Sequence, residues 1–495
     1  MKKIYLLMGL GLTLNFISCN DDSITDLNDD PKNLTTVPAG TLLANAEKNL
    51  FDQMTSSNVN TNVFRLFAQH WTETTYLDES RYDVLQRNVP DVHWRTLYRD
   101  ILRDLKEAYD ITNKEQALSV SAQKTKDNKL ALIEVLNVYA YSVLVDTFGN
   151  IPYTESLDPI NHPSPKYDDA KTIYTDLFTR LENALLKLDE NYESFGEYDF
   201  IYGGDISHWK KFANSLQLRM AITVADEPSL AVLAKSKAEA AVSNGVLQSM
   251  ADNATLHYLA SEPNSNPLYS DLVTSGRYDF VAASTLVDKM NTLSDPRRGL
   301  YFIDINGNYI GCPYAAGGDF ENYSSAGDPQ TNGPKTRLLE PTLEGILLDY
   351  TEVEFYLAEA VERGFNVGGT AESHYNNAIT SSILYWGGTN SQATAYILQP
   401  AVAYTTAAGT WKQKIGEQAW LGYYNRGFEA WTTYRRLDFP NLIAPANAVS
   451  AAEGVVPKRY TYPVLEQTLN GSNHAEASTA IGGDKLKTKV FWDKF

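Results

Sequence analysis

The side chains able to attack a carbonyl, hold a metal or move a proton are 7 histidines, 2 cysteines and 61 aspartates and glutamates in a chain of 495 residues. Their spacing forms no familiar catalytic pattern. There is no H-E-x-x-H helix to bind zinc, no G-x-S-x-G turn to expose a serine, no Walker loop and no G-x-G-x-x-G turn to cradle phosphate. His70 stands three residues before Glu73 and His93 stands alone. Neither has the partners of a metal set, so both read as satisfied polar residues. Asp304, Asn306 and Asn308 alternate like the start of a calcium loop, but the glycine is misplaced and no terminal glutamate follows. Asn306-Gly307 is read instead as the turn of a β-hairpin between Tyr301–Ile305 and Asn308–Ile310, because both residues tolerate positive φ. The sequence therefore calls for no metal and no cofactor. A pair of carboxylates needs no local signature, so an all-α glycoside hydrolase using an Asp/Glu pair stays open as the alternative reading.

One cysteine has a chemical context. Lys2 and Lys3 precede the apolar stretch Ile4–Leu14, and Ser18 stands directly before Cys19. The stretch is too short to span a bilayer and reads as a signal peptide. A cysteine after a small residue at its end resembles a bacterial lipoprotein cleavage site, which makes Cys19 the expected lipidation site. Beyond it Asp21, Asp22, Asp26, Asp29 and Asp30 stand among few large apolar residues. Such a stretch cannot bury enough surface to fold alone. Residues 1–18 are thus read as leader, 19–37 as acidic tether and 38–495 as one domain. Cys312, the only other cysteine, is read as an ordinary buried thiol.

Composition closes other routes. Lys and Arg number 42, giving a net charge of −19, which speaks against nucleic acid because phosphate binding needs clustered cations. Leu130–Val145 is apolar around most of its circumference, yet it is short and carries Glu134, Asn137 and Ser142. It reads as a central buried helix. Aromatics are the surplus, with 31 Tyr, 18 Phe and 8 Trp.

The elements that would position these groups are mostly helices. Trp94, Leu97, Tyr98, Ile101, Leu105 and Ala108 recur at spacings of three and four, as do Ile173, Leu177, Leu181, Leu185 and Leu188. Trp209, Phe212, Leu216 and Met220 repeat the pattern, and so do Val353, Tyr356, Leu357 and Ala360. Glu352–Arg363, a Gly-rich turn and the run Tyr375, Ala378, Ile379, Ile383 look like a tetratricopeptide-type pair. Residues 251–345 differ, because Pro and Gly crowd there and break long helices. The fold expected is mainly α. A helical-pair scaffold spans 38–250 and 346–440, a loop-rich insert at 251–345 carries the hairpin, and a C-terminal segment covers 441–495.

Several phrases then point one way: Phe67-Ala-Gln-His-Trp71, Tyr76-Leu-Asp-Glu-Ser-Arg-Tyr82, Phe148-Gly-Asn-Ile-Pro-Tyr153, Ser294-Asp-Pro-Arg297, Glu354-Phe-Tyr-Leu-Ala-Glu-Ala360, Trp431-Thr-Thr-Tyr-Arg-Arg-Leu-Asp438 and Arg459-Tyr-Thr-Tyr-Pro463. In this order, behind a lipoprotein leader, they resemble the SusD/RagB family of nutrient-binding lipoproteins. The resemblance implies a non-catalytic receptor, lipid-anchored in the outer membrane and facing the cell exterior. Its partner would be a SusC-like TonB-dependent β-barrel, and its ligand an oligosaccharide or, second, a peptide. The family phrases are scaffold signatures and transfer no ligand residues. For those, composition is the guide: rings in irregular segments are freer to meet a ligand than rings on helix stripes. Tyr76, Tyr82, Tyr269, Tyr278, Tyr314 and Tyr323 are the candidates, with Phe320 beside them, and Arg81, Arg277 and Asp279 as polar partners. Trp209, Trp420 and Trp431 are assigned to the core, and Arg435-Arg436-Leu437-Asp438 to an internal ion-pair network.

Overall fold

Apolar stripes at helical spacing run through most of the chain, and helices follow them. The computed structural model describes residues 37–495; about 51% of these are helical, in 17 α-helices and several short 3-10 and π stretches. The leader, Cys19 and the acidic stretch to residue 36 lie outside the described residues. Ala39–Phe495 makes one compact unit.

The first half is built from packed helices. Helix α1 (Ala39–Thr55) lies against a continuous helical run, α3 (Val89–Arg95), a π-helical stretch Thr96–Leu102 and α4 (Arg103–Lys114); the short α2 is Phe64–Phe67. Asn45 donates to Asp104 at 2.7 Å across that contact. The central α5 (Val120–Phe148) pairs with α6 (Ala170–Lys187), and α7 (Ile206–Thr223) pairs with α8 (Ala231–Asn244). Side chains of Ser119, Asp169 and Asp205 accept first-turn N–H groups and start α5, α6 and α7. Among the described residues α5 alone is long and apolar enough to cross a membrane. Its most apolar window is 94% buried, so tertiary packing already covers the surface that lipid would cover.

The second half repeats the paired design. After α9 (Ser284–Thr292) and α10 (Arg298–Tyr301), α11 (Tyr350–Glu362) packs on α12 (Ala371–Tyr385) as the tetratricopeptide-like pattern predicts. Gly364, at φ 72°, ends the first helix in the left-handed conformation that a side chain disfavours. Helix α13 (Asn390–Ile397) leads to the pair α14 (Trp411–Gly422) and α15 (Gly427–Leu437), and α16 (Glu466–Leu469) and α17 (Gly471–Ala480) close the chain. Trp209, Trp420 and Trp431 are all fully buried. Arg435 and Arg436 turn inward. Arg436 meets Glu359 at 2.6 and 2.9 Å, while Arg435 donates to the Asp146 carbonyl at 2.6 Å and stacks on Trp431. A larger buried network joins three helix pairs. Arg219 of α7 grips Glu352 of α11 at 2.6 and 2.7 Å, and Arg426 before α15 reaches both Glu352 and Asp349, the latter at 2.7 Å.

The insert is stitched to this scaffold by strands too short to announce themselves. Strand β1 (Trp71–Glu73) pairs antiparallel with β5 (Phe280–Ala282), with Trp71 opposite Ala282 and Glu73 opposite Phe280. Strands β2 (Ile151–Pro152) and β3 (Tyr167–Asp168) pair locally, and β4 (Ala254–Leu256) pairs with β6 (Gly345–Leu348). The Asn306-Gly307 turn forms, with φ of 51° and 82° and the Ile305–Asn308 pair closed in both directions. Its ladder is one rung long, because Tyr301 ends α10 and Ile303 pairs instead with Ser325.

Candidate functional site

The antiparallel pair β1–β5 brings two distant loops to one end of a small sheet. The ladder continues one step further, with the Thr74 N–H donated to the Asp279 carbonyl at 2.8 Å, and a third loop joins as Gly318 donates to the Thr74 carbonyl at 3.0 Å. Gly318 has φ 148°, and a Cβ there would come within 2.9 Å of the Tyr323 ring. The loops after β1, before β5 and around residue 318 are thereby fixed to one another. They open as a surface cleft of about 850 Å³, lined by Asn58, Tyr76, Arg87, Asp271, Arg277, Tyr278, Asp279, Asp319, Phe320 and Glu321 among others.

Two rings face this cleft. Tyr76 is 73% exposed and held at φ 52°, a left-handed conformation that a bulky side chain rarely takes. Tyr278 is 45% exposed and is braced edge-to-face on the buried Phe320 at 5.7 Å. Apolar faces with a few polar groups beside them are what a small-molecule pocket needs.

The polar wall beneath the rings is built around Arg277. Its guanidinium lies 4.3 Å over the Phe280 ring, takes Asp279 at 2.6 and 2.8 Å and reaches Glu73 at 3.1 Å. The other oxygen of Glu73 accepts both the Ser80 N–H at 3.0 Å and the Ser80 hydroxyl at 2.9 Å. Glu79 is buried alongside and pairs with Arg87, which also approaches Asp78 at 3.9 Å. Burial, and then the charge of Glu79, push the Glu73 carboxyl well above the usual carboxylate range, against the pull of Arg277. Burial pushes Glu79 up as well, against Arg87.

A raised carboxyl has a stability consequence. The unfolded chain loses this proton above about pH 4.3, whereas the folded chain keeps it. Stability from this group is therefore fully present below that pH and drains away as pH rises. Glu73→Gln, which keeps the shape and removes the titration, should flatten the fall in Tm between pH 5.5 and 8.5 by roughly 2–4 °C. Thermal scans of both proteins at the two pH values check this; parallel slopes would show that Glu73 is ionised in the folded protein.

The predicted ligand residues divide. Tyr76, Arg277 and Tyr278 line the cleft together with Asp279 and Phe320. Tyr82 is corrected to a core residue: it is fully buried, packs 5.7 Å from Phe67 and accepts a hydrogen bond from Gln69 at 3.0 Å. Tyr314 sits against it and donates its hydroxyl to the Leu66 carbonyl at 2.7 Å, pinning the insert to α2. Tyr323 covers the small cluster of Val281, Cys312 and Phe320. Arg81 accepts the Val449 N–H on its carbonyl at 2.9 Å, and neither it nor the half-buried Tyr269 lines the cleft. Sequence reading missed Arg87, Asp271, Asp319 and Glu321. No local pattern marks them; only the pairing of β1 with β5 brings them together. His70 and His93 are buried, one against the Trp420 carbonyl at 2.9 Å and the other against Gln53 at 2.8 Å, and burial lowers both to about 3. Among the described residues no three His, Cys, Asp or Glu side chains stand close enough to hold a metal ion.

A second cleft of about 720 Å³ lies between α3–α4 and the loop after β2, with Trp94, Tyr98, Arg103 and Ile160 in its lining. Its rings are less available, since Trp94 is buried and Tyr98 donates to the Pro152 carbonyl at 2.5 Å.

Residues 31–463 match the model of a family described as starch-binding and associating with the outer membrane, SusD-like. The chain belongs to the SusD/RagB family. Solved structures agree with that membership. A chitin-binding protein superposes with a TM-score of 0.77 at 25% identity, covering 92% of this chain and 100% of its own. A SusD homologue from Bacteroides uniformis gives 0.74 at 26% identity, covering 92% and 99%. A chitin-binding SusD homologue from Flavobacterium johnsoniae gives 0.75 at 24%, covering 91% and 98%, and its likeness speaks for the fold. No curated protein matches the sequence. The SusD-like fold is thus the frame on which β1–β5 hangs the cleft.

Proposed function

We propose that this SusD-like chain is a non-catalytic glycan receptor that captures an oligosaccharide in the Tyr76–Tyr278 cleft. The observation that carries the reading is the pair of exposed rings above a polar wall, in a chain whose family is described as starch-binding. Tyrosine covers a sugar ring at low entropy cost and offers a hydroxyl at its edge. A chitin-binding relative of the same fold supports a glycan over a peptide.

The finer roles follow from the family and the leader. Cys19 carries the lipid, residues 19–37 form a tether, and the receptor sits at the outer membrane facing out, where it passes its ligand to a SusC-like TonB-dependent barrel. Cys19→Ala should leave the membrane fraction or stay unprocessed; unchanged lipid labelling would contradict the anchor. For the receptor itself, the protein is mixed with maltoheptaose, N-acetylglucosamine hexamer, xylohexaose and a peptide pool, and both binding and products are measured. The expected result is binding of at least one glycan with no product. Turnover abolished by replacing one carboxylate would make the protein an enzyme instead.

A further inference from the structure

The charges around the cleft narrow the chemical class of sugar it can take. Tyrosine faces stack on any pyranose and do not discriminate by charge, so discrimination falls to the ionic groups. Two cations line the cleft, and both are committed within the protein. Arg277 is held by Asp279 and Glu73, and Arg87 by Glu79. Of the four carboxylates in the lining, Asp279 is paired with Arg277, and the other three have no ion-pair partner among the described residues. Asp271 caps the loop below, accepting from Ser56 at 2.8 Å and from the Ser57 N–H at 2.9 Å. Asp319 and Glu321 are exposed on the rim and have no ion-pair partner among the described residues.

A uronate or sulfate entering this cleft would meet three carboxylates without a counter-charge, two of them exposed on the rim, and no uncommitted cation, in a chain of net charge −19. Like charges set face to face weaken the complex and slow the encounter. A neutral sugar brings no charge for them to repel and can donate its hydroxyls to them, and a protonated amine is attracted. Resting on the glycan reading above, we infer that the cleft takes uncharged or amino-bearing oligosaccharides and excludes uronate- and sulfate-bearing ones, with Asp319 and Glu321 setting that selectivity.

The test applies purified full chain to an array of neutral, N-acetylated, glucosamine, uronate and sulfated oligosaccharides at low and at physiological salt. The Asp319→Asn/Glu321→Gln double variant is run beside it. Both residues are exposed, so the variant should keep the wild-type Tm. Wild type should bind only neutral and amino members. Relative to its own binding of neutral sugars of equal length, the variant should bind glucosamine oligomers about fivefold more weakly at low salt and acidic members more tightly, with both changes shrinking as salt rises. An acidic glycan bound by wild type as tightly as a neutral one of equal length overturns the inference and leaves the receptor reading standing. A variant that shifts neither charged class overturns it too. Binding of no glycan at all overturns the receptor reading and takes this inference with it.

Discussion

Tyr278→Ala should weaken glycan binding by about tenfold to a hundredfold, and Tyr76→Ala by about tenfold, with neither variant losing thermal stability. A tenfold loss is about 1.4 kcal/mol, and an aromatic anchor in a binding site reaches or exceeds that when truncated. The separation of affinity from stability rests on exposure: Tyr76 is 73% and Tyr278 45% accessible, so little packing is lost with either ring. Tyr82 supplies the contrast. It lies in the same sequence phrase as Tyr76 but is fully buried against Phe67, so Tyr82→Ala should cost roughly 3–5 kcal/mol of stability. Isothermal titration and melting curves on the three variants check the pattern. Equal loss of Tm across all three would mean that Tyr76 and Tyr278 are structural as well.

A stability effect as large as that of Tyr82→Ala should come from Glu352. Burial pushes its carboxyl up, but Arg219 and Arg426 overcome that and hold it below the ordinary carboxylate range. The carboxylate is the shared counter-charge of two buried guanidiniums that reach it from different helix pairs. Glu352→Ala leaves both facing only Asp349 and Glu429. Removing one partner from a buried ion pair costs roughly 3–5 kcal/mol, because the remaining charge stays desolvated. Denaturant unfolding should show a lower midpoint at unchanged slope. A change below about 1 kcal/mol for Glu352→Ala would mean that water enters and screens the network.

What could be read from the sequence and what could not follows the range of the interactions involved. The stripes of α5, α6, α7 and α11 are local, so helix class and the α11–α12 pair were legible, as were the buried Trp209, Trp420 and Trp431. Asn306-Gly307 also fixed its turn, because positive φ is a property of two adjacent residues. Its strands did not follow, since Ile303 found a better partner in Ser325. The cleft depends on longer reach. Strands β1 and β5 have three residues each and meet across some two hundred positions, with no alternation long enough to register. That one pairing decides that Tyr76 and Tyr278 share a cleft and that Arg87 and Asp319 join them. Tyr82 and Tyr314 were misplaced for the same reason. A tyrosine among Gly, Pro and charged residues looks exposed until a distant helix end, here Leu66 of α2, takes its hydroxyl.

The most direct measurement of the central claim is a crystal structure of this SusD-like protein soaked with whichever oligosaccharide of the panel binds best. The account predicts an intact sugar chain with one pyranose face on Tyr278 and another within about 4 Å of Tyr76, contacts of ordinary van der Waals length. An intact chain seated instead between Trp94, Tyr98 and Ile160, or a cleaved product at any carboxylate pair, would contradict it.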